Sequence, residues 1–150
     1  MLKLSMQLGL IALSVVSFSA VANPLKKIPF HLSCKPTSGN FLGEVRGDYY
    51  MGSAGPVSIY AKDYKITRLN GQNGGNKANL NMGHSVVPML GWENQTKSND
   101  DLKQDGQWRQ LSKIQYRLFN GRDMMEVGFE FVFDKSGPDP TCNVYKVLKP

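Results

Sequence analysis

The chain has 150 residues, 18 Lys and Arg against 12 Asp and Glu, a net charge of +6, and 2 Cys. That length suits one domain and excludes large multidomain enzymes and solenoid arrays. Hydrophobic residues make up 41%, enough for a packed core and too many for a wholly disordered chain.

Residues 1–22 read as a secretory signal peptide. Lys3 supplies a short basic start, Leu8 to Phe18 is a mostly apolar run, and Ala20-Val21-Ala22 is the small-x-small pattern cut by signal peptidase. A buried N-terminal helix is the competing reading. The run is too short for a bilayer span, which takes about 20 residues. Cys34 stands too far past it for lipidation, and no later segment reaches span length. Cleavage leaves a single β-rich domain, 23–150. Those 128 residues carry 17 basic and 12 acidic side chains, a net +5. The expected location is periplasmic or secreted, in a bacterium.

In an oxidising compartment Cys34 and Cys142 are expected to form a disulfide. Free thiols or a two-Cys metal site are the alternatives. Zinc takes four ligands, however, and only His31 and His84 add ring nitrogens.

In chain order, Ile28–Cys34 is the first predicted strand, with Pro29 placing it at an edge or a strand start. Phe41–Met51 is the second. Phe41, Val45 and Tyr49 share a face, while Gly43 and Gly47 suggest a bend or bulge. Val57–Ala61 and Tyr64–Leu69 both alternate; Lys62-Asp63 is either a turn between them or part of one longer strand. Asn70–Asn81 is the most loop-like stretch. Its Asn70–Asn76 portion has no apolar residue and three glycines. Lys77-Ala78 lacks the Lys-Ser/Thr of a phosphate loop. Ser85–Trp92, interrupted by Pro88, reads as a short edge strand and turn. Glu93–Gln107 reads as a second long polar loop with room for a helical turn.

Asn120-Gly121 is a strong type I′ hairpin signal. A two-residue turn there predicts a Leu111–Asp134 hairpin, with Tyr116 facing Met125, Ile114 facing Val127 and Ser112 facing Phe129. Phe131 and Phe133 extend the apolar face, which places Met125–Phe133 at the centre of the sheet. Gly137-Pro138-Asp139-Pro140 is a turn before a last strand, Cys142–Leu148. The predicted fold is therefore all-β and mainly antiparallel: a small β-sandwich or barrel with a central Leu111–Asp134 hairpin and a disulfide joining the terminal regions.

Catalytic motifs are scarce. No G-x-S-x-G elbow occurs, and adjacent His84 and Ser85 would face opposite ways on a strand. Glu126 and Glu130 lie about 13 Å apart along a strand at roughly 3.3 Å per residue, too far for a glycosidase pair. Asp101-x-Lys103-x-Asp105 has Lys where a calcium loop needs oxygen, leaving at most a weak calcium site of Asp100, Asp101 and Asp105. No cofactor motif is present. Basic residues never run longer than two, and no RNA-type aromatic motif occurs, so nucleic acid is not an expected partner.

The expectation is an exported, non-enzymatic protein that binds a macromolecule, a protein partner in particular, through long loops. Asn70, Gln72, Asn73 and Asn76 of one loop and Trp92, Asp100, Asp101, Asp105 and Trp108 of the other are the candidate contacts. A leader, a small β domain and one disulfide make the chain similar in class to the lysozyme-inhibitor families, although it lacks their inhibitory loop motif. Periplasmic immunity proteins against envelope-targeting toxins share the profile. A small-molecule or glycan-binding barrel is the rival; a deep apolar cavity behind Phe129 and Phe131 would favour it, and a filled core would favour the macromolecule binder. A hydrolase, which needs His31 or His84 clustered with carboxylates in a cleft, comes third.

Overall fold

The computed structural model describes residues 24–86, 93–119 and 124–149. The leader 1–22, Pro88, Trp92 and the Asn120-Gly121 turn lie outside these. Eight strands form two antiparallel four-stranded sheets, with no helix among the described residues. In chain order they are β1 (Lys26–Cys34), β2 (Phe41–Gly52), β3 (Gly55–Arg68), β4 (Asn79–Val86), β5 (Glu93–Lys97), β6 (Arg109–Leu118), β7 (Met125–Val132) and β8 (Thr141–Leu148). The first sheet runs β1-β2-β3-β6, the second β5-β4-β7-β8. Consecutive strands β3 and β4 thus sit in opposite sheets, as do β6 and β7, and β6 returns to β3 while β7 returns to β4. This interlock is a Greek-key type of sandwich connection.

Period-two burial drives the arrangement. In β7 Met125, Val127, Phe129 and Phe131 are buried while Glu126 and Glu130 face out. Phe30 stacks on Phe129 with ring centroids 5.7 Å apart, and Phe133 stacks on both Phe41 and Phe131. These rings fill the space between the sheets. Gly43, opposite Cys34, stays in register. Its missing side chain admits the Phe131 ring, which a Cβ would meet at 2.6 Å. Cys34 and Cys142 are bonded, tying edge strand β1 to edge strand β8 across the sandwich.

Three expectations are corrected. The central hairpin does not form, because β6 pairs with β3. Strand β7 spends both backbone edges elsewhere, on β4 and on β8, so no ladder is left for β6. A local turn signal yields here to two long-range ladders. The Asn70–Asn81 loop is also shorter than expected: Asn79–Asn81 open β4, since Leu80 and Met82 are buried opposite Phe131 and Phe129. Likewise Glu93–Lys97 is strand β5, laid along β4, rather than loop.

The Val57–Ala61 and Tyr64–Leu69 runs are one strand, β3, with a register shift. Arg46 faces Asp63 and Gly47 faces Ala61, leaving Lys62 as an extra residue. The bulge turns both Lys62 and Asp63 outward between buried Ala61 and Tyr64. Gly47 is required at this point, because a Cβ there would lie 1.8 Å from the Tyr60 carbonyl oxygen.

Candidate functional site

The bulge creates a shallow open groove of about 620 Å³ on the outer face of the first sheet, bordered by His31, Arg46, Asp48, Lys62, Asp63 and Trp108. Alternation in β1 and β2 sends His31, Glu44, Arg46 and Asp48 to the side opposite Phe30 and Val45. Strand pairing places them in rows, His31 beside Arg46 and Arg46 beside Asp63.

Every carboxylate in these rows holds a cation. Lys62 Nζ donates to Asp48 Oδ2 at 2.6 Å, and Lys27 Nζ lies 3.2 Å from the same oxygen. The Lys62 hydrogen bond holds the Asp48 carboxyl below its ordinary 3.8, against the opposing effect of burial and with help from Lys27. Reciprocally, Asp48 raises the Lys62 ammonium above its ordinary 10.5. Arg46 Nε donates to Asp63 Oδ2 at 3.0 Å. Glu44, almost buried, meets His31 Nε2 at 3.1 Å through Oε1. Lys65 Nζ lies 2.8 Å from the other oxygen, Oε2, an ion pair without hydrogen-bond alignment.

Trp108 caps this face. The loop after β5 carries it there, half-buried, just before β6 begins. The Arg46 guanidinium stacks 4.2 Å from the indole centroid, Lys65 Nζ stands 5.8 Å away, and His31 makes an edge contact. Two contacts fix the loop beneath. Tyr64 Oη accepts the Lys103 backbone N–H at 2.9 Å, and Arg109 clasps Asp105 through Nε and Nη2. Arg109 lowers the Asp105 carboxyl, and burial raises the Tyr64 hydroxyl.

The same loop sends Gln104 inward, with 1% exposure. Its Nε2 donates to Gly75 O at 3.0 Å and Asp134 O at 2.7 Å, binding three loops at one end of the sandwich. Asp134 Oδ2 accepts the Lys77 N–H, and Arg68 Nη2 donates to Gly75 O. A Cβ on Gly75 would fall 1.9 Å from Asp134 Oδ2, so a larger residue there would have to displace the Asp134 carboxylate.

The sequence-derived candidates therefore separate. Asn70 (φ +54°) and Gly71 (φ +70°) make the corner of a Leu69–Gln72 turn. Gln72 accepts from Asn40 and donates to Asn73 O, while Asn76 Oδ1 accepts from the Gln104 N–H. These residues knit the loop end together, with Asn73 and Asn76 exposed. Asp100 and Asp101 are exposed, and Asp105 is committed to Arg109. Among the described residues no group of three or more His, Cys, Asp or Glu is placed to hold a metal. Among the described candidates only Trp108 reaches the groove, and Trp92 lies outside the described residues. Sequence reasoning passed over Glu44, Arg46, Asp48, Lys62 and Asp63, and named His31 only as a ring-nitrogen ligand or a residue of the third-ranked hydrolase reading. The signal was present in β2, where Glu44, Arg46 and Asp48 alternate in sign at a spacing of two.

Comparison with protein-family models, curated proteins and solved structures finds no match for this chain. No helix among the described residues is long and apolar enough to cross a membrane. The disulfide in a small β domain is compatible with an extracellular or periplasmic location.

Proposed function

We propose that this is an exported, non-enzymatic binding protein whose groove engages a macromolecular partner, in its most specific form a periplasmic inhibitor or immunity protein against a toxin or cell-wall hydrolase. The observation that carries the reading is half-buried Trp108 stacked on Arg46 above an ion-paired sheet face. Trp and Arg are the residue types that dominate binding energy at interfaces, within a polar rim. The aromatic packing of Phe30, Phe41, Phe129, Phe131 and Phe133 supports it further, because it fills the space a lumen-binding protein needs. The alternative, a glycan or small-molecule module of the envelope, would use the same open groove.

Titrating the domain 23–150 against a panel of muramidases, amidases and peptidoglycan endopeptidases tests the proposal. Stoichiometric inhibition of one class is expected, weakened at least about tenfold by Trp108→Ala, a loss in the range of an interface anchor. Inhibition of no class, together with binding of soluble peptidoglycan fragments, would replace it with the glycan reading.

A further inference from the structure

We infer that Arg46 is a preorganised receptor for a carboxylate on the partner, so that the groove takes an acidic protein segment. This rests on the binding reading above and names the chemistry the groove selects. The guanidinium is held from two sides: its face lies on Trp108, and its Nε is fixed by Asp63. Among the described residues its two Nη groups have no acceptor, and the side chain is 48% exposed. What remains open is the planar fork of donors that matches a carboxylate in bidentate geometry, already immobilised before the ligand arrives.

Charge complementarity gives the sign of the occupant. Asp48, Asp63 and Glu44 are each consumed by internal partners, Asp48 by two lysines and Glu44 by Lys65 with His31 beside it. Against these three carboxylates stand Lys27, Arg46, Lys62 and Lys65, with His31 as a fifth group that gains charge when protonated. The face therefore presents excess positive charge and no unpaired acid, and would repel a basic segment. The indole and the Pro29 ring give the segment apolar surface in the groove lining.

The experiment uses a fluorescein-labelled peptide of alternating Glu and Gly, and its Gln counterpart of equal length, in anisotropy titrations with the domain 23–150. The Glu peptide should bind at least about tenfold tighter than the Gln peptide, with an affinity that falls as salt rises. Arg46→Lys keeps the charge but removes the fork, and should weaken the Glu peptide by about five- to tenfold. Lys97→Gln, on β5, should leave it within about twofold, as expected of an exposed charge remote from the site. Equal affinity for the two peptides, or indifference to Arg46→Lys, overturns the inference. Tighter binding of a sulfated oligosaccharide or of anionic phosphatidylglycerol vesicles with the same Arg46 dependence also overturns it, in favour of a glycan or a membrane surface. If Trp108→Ala abolishes hydrolase inhibition while Arg46→Lys does not, and the Glu peptide fails to compete, the carboxylate anchor is lost and the binding reading stands.

Discussion

Segments 69–77 and 98–108 are both polar, the first built on three Asn and three Gly with no acid, the second on three Asp and two Gln. The first is fastened by its own backbone: Gly75 O takes hydrogen bonds from Gln104 and Arg68, and Lys77 N–H is held by Asp134. The second is fastened by its backbone as well, through Ser98, Leu102 and Gly106, and by the Tyr64, Gln104 and Asp105 side chains, and it sets Trp108 across the first sheet. Similar polarity therefore serves closure in one loop and presentation in the other. What decides is whether the loop's hydrogen bonds are spent within the sandwich or carry an aromatic out of it.

The disulfide sets a baseline outside both loops. Cys34 and Cys142 are 108 positions apart, and in the chain-entropy model a crosslink of that span stabilises by about 4–5 kcal/mol. The Cys34→Ala/Cys142→Ala double variant should lose about that much in urea unfolding, yet the fraction that stays folded should keep the binding affinity of the wild type. A larger loss of binding than of folding would mean that the clasp shapes the groove.

Gln104 is where the two loops meet, and Gln104→Leu tests their division of labour. The Gly75 and Asp134 carbonyls each lose a donor but keep another, from Arg68 and from the Gly75 N–H. The expected destabilisation is about 2 kcal/mol, at the level of hydrogen bonds lost from a buried amide. Binding through Trp108 should change less than twofold by titration, well inside the scatter of near-neutral interface substitutions. Equal damage to stability and binding would show that the two loops act as one unit.

Legibility in the sequence followed the same divide. Strands β2, β3 and β7 were readable because Phe41 and Val45, Ile59 and Ala61, and Val127 and Phe129 fall two or four positions apart on one face and are all fully buried. The cysteine pairing followed from there being only two. Asn120-Gly121 misled, since turn chemistry acts over two residues whereas the choice of sheet for β6 and β7 depends on ladders with β3, β4 and β8. For the site, Trp108 was visible as a loop aromatic, but its destination depends on a cation stack with Arg46, 62 residues away in sequence. Gln104 gave no signal, because a buried amide inside a polar stretch looks like its exposed neighbours.

The smallest expected effect is a pH dependence that separates the loops. Asp48 is more acidic in the folded protein than in the unfolded chain, chiefly because Lys62 donates to it, so its contribution is complete above pH 4 or so and fades as the pH falls through the folded value. Asp105, lowered by Arg109, behaves alike. Both sit on the Trp108 side of the comparison, whereas Gln104 carries no charge and its contacts do not titrate. Lys62 reverses the sign at the other end: its raised value stabilises below about 10.5 and is lost above it, just as ionisation of buried Tyr64 opposes folding beyond pH 10. Each ion pair is solvated and weak, so unfolding curves alone would resolve it poorly. NMR resolves it better. On acidification below about pH 4 the Trp108 indole N–H resonance should move further than the Gln104 side-chain amide, since Asp48 and Asp105 bear on the groove whereas the amide bonds only carbonyl oxygens. Asp48→Asn should remove part of the indole shift and Asp105→Asn a further part. A Gln104 amide that moves with the indole would mean that the groove and the buried end of the loop are coupled, and that one loop both closes the sandwich and tunes what it presents.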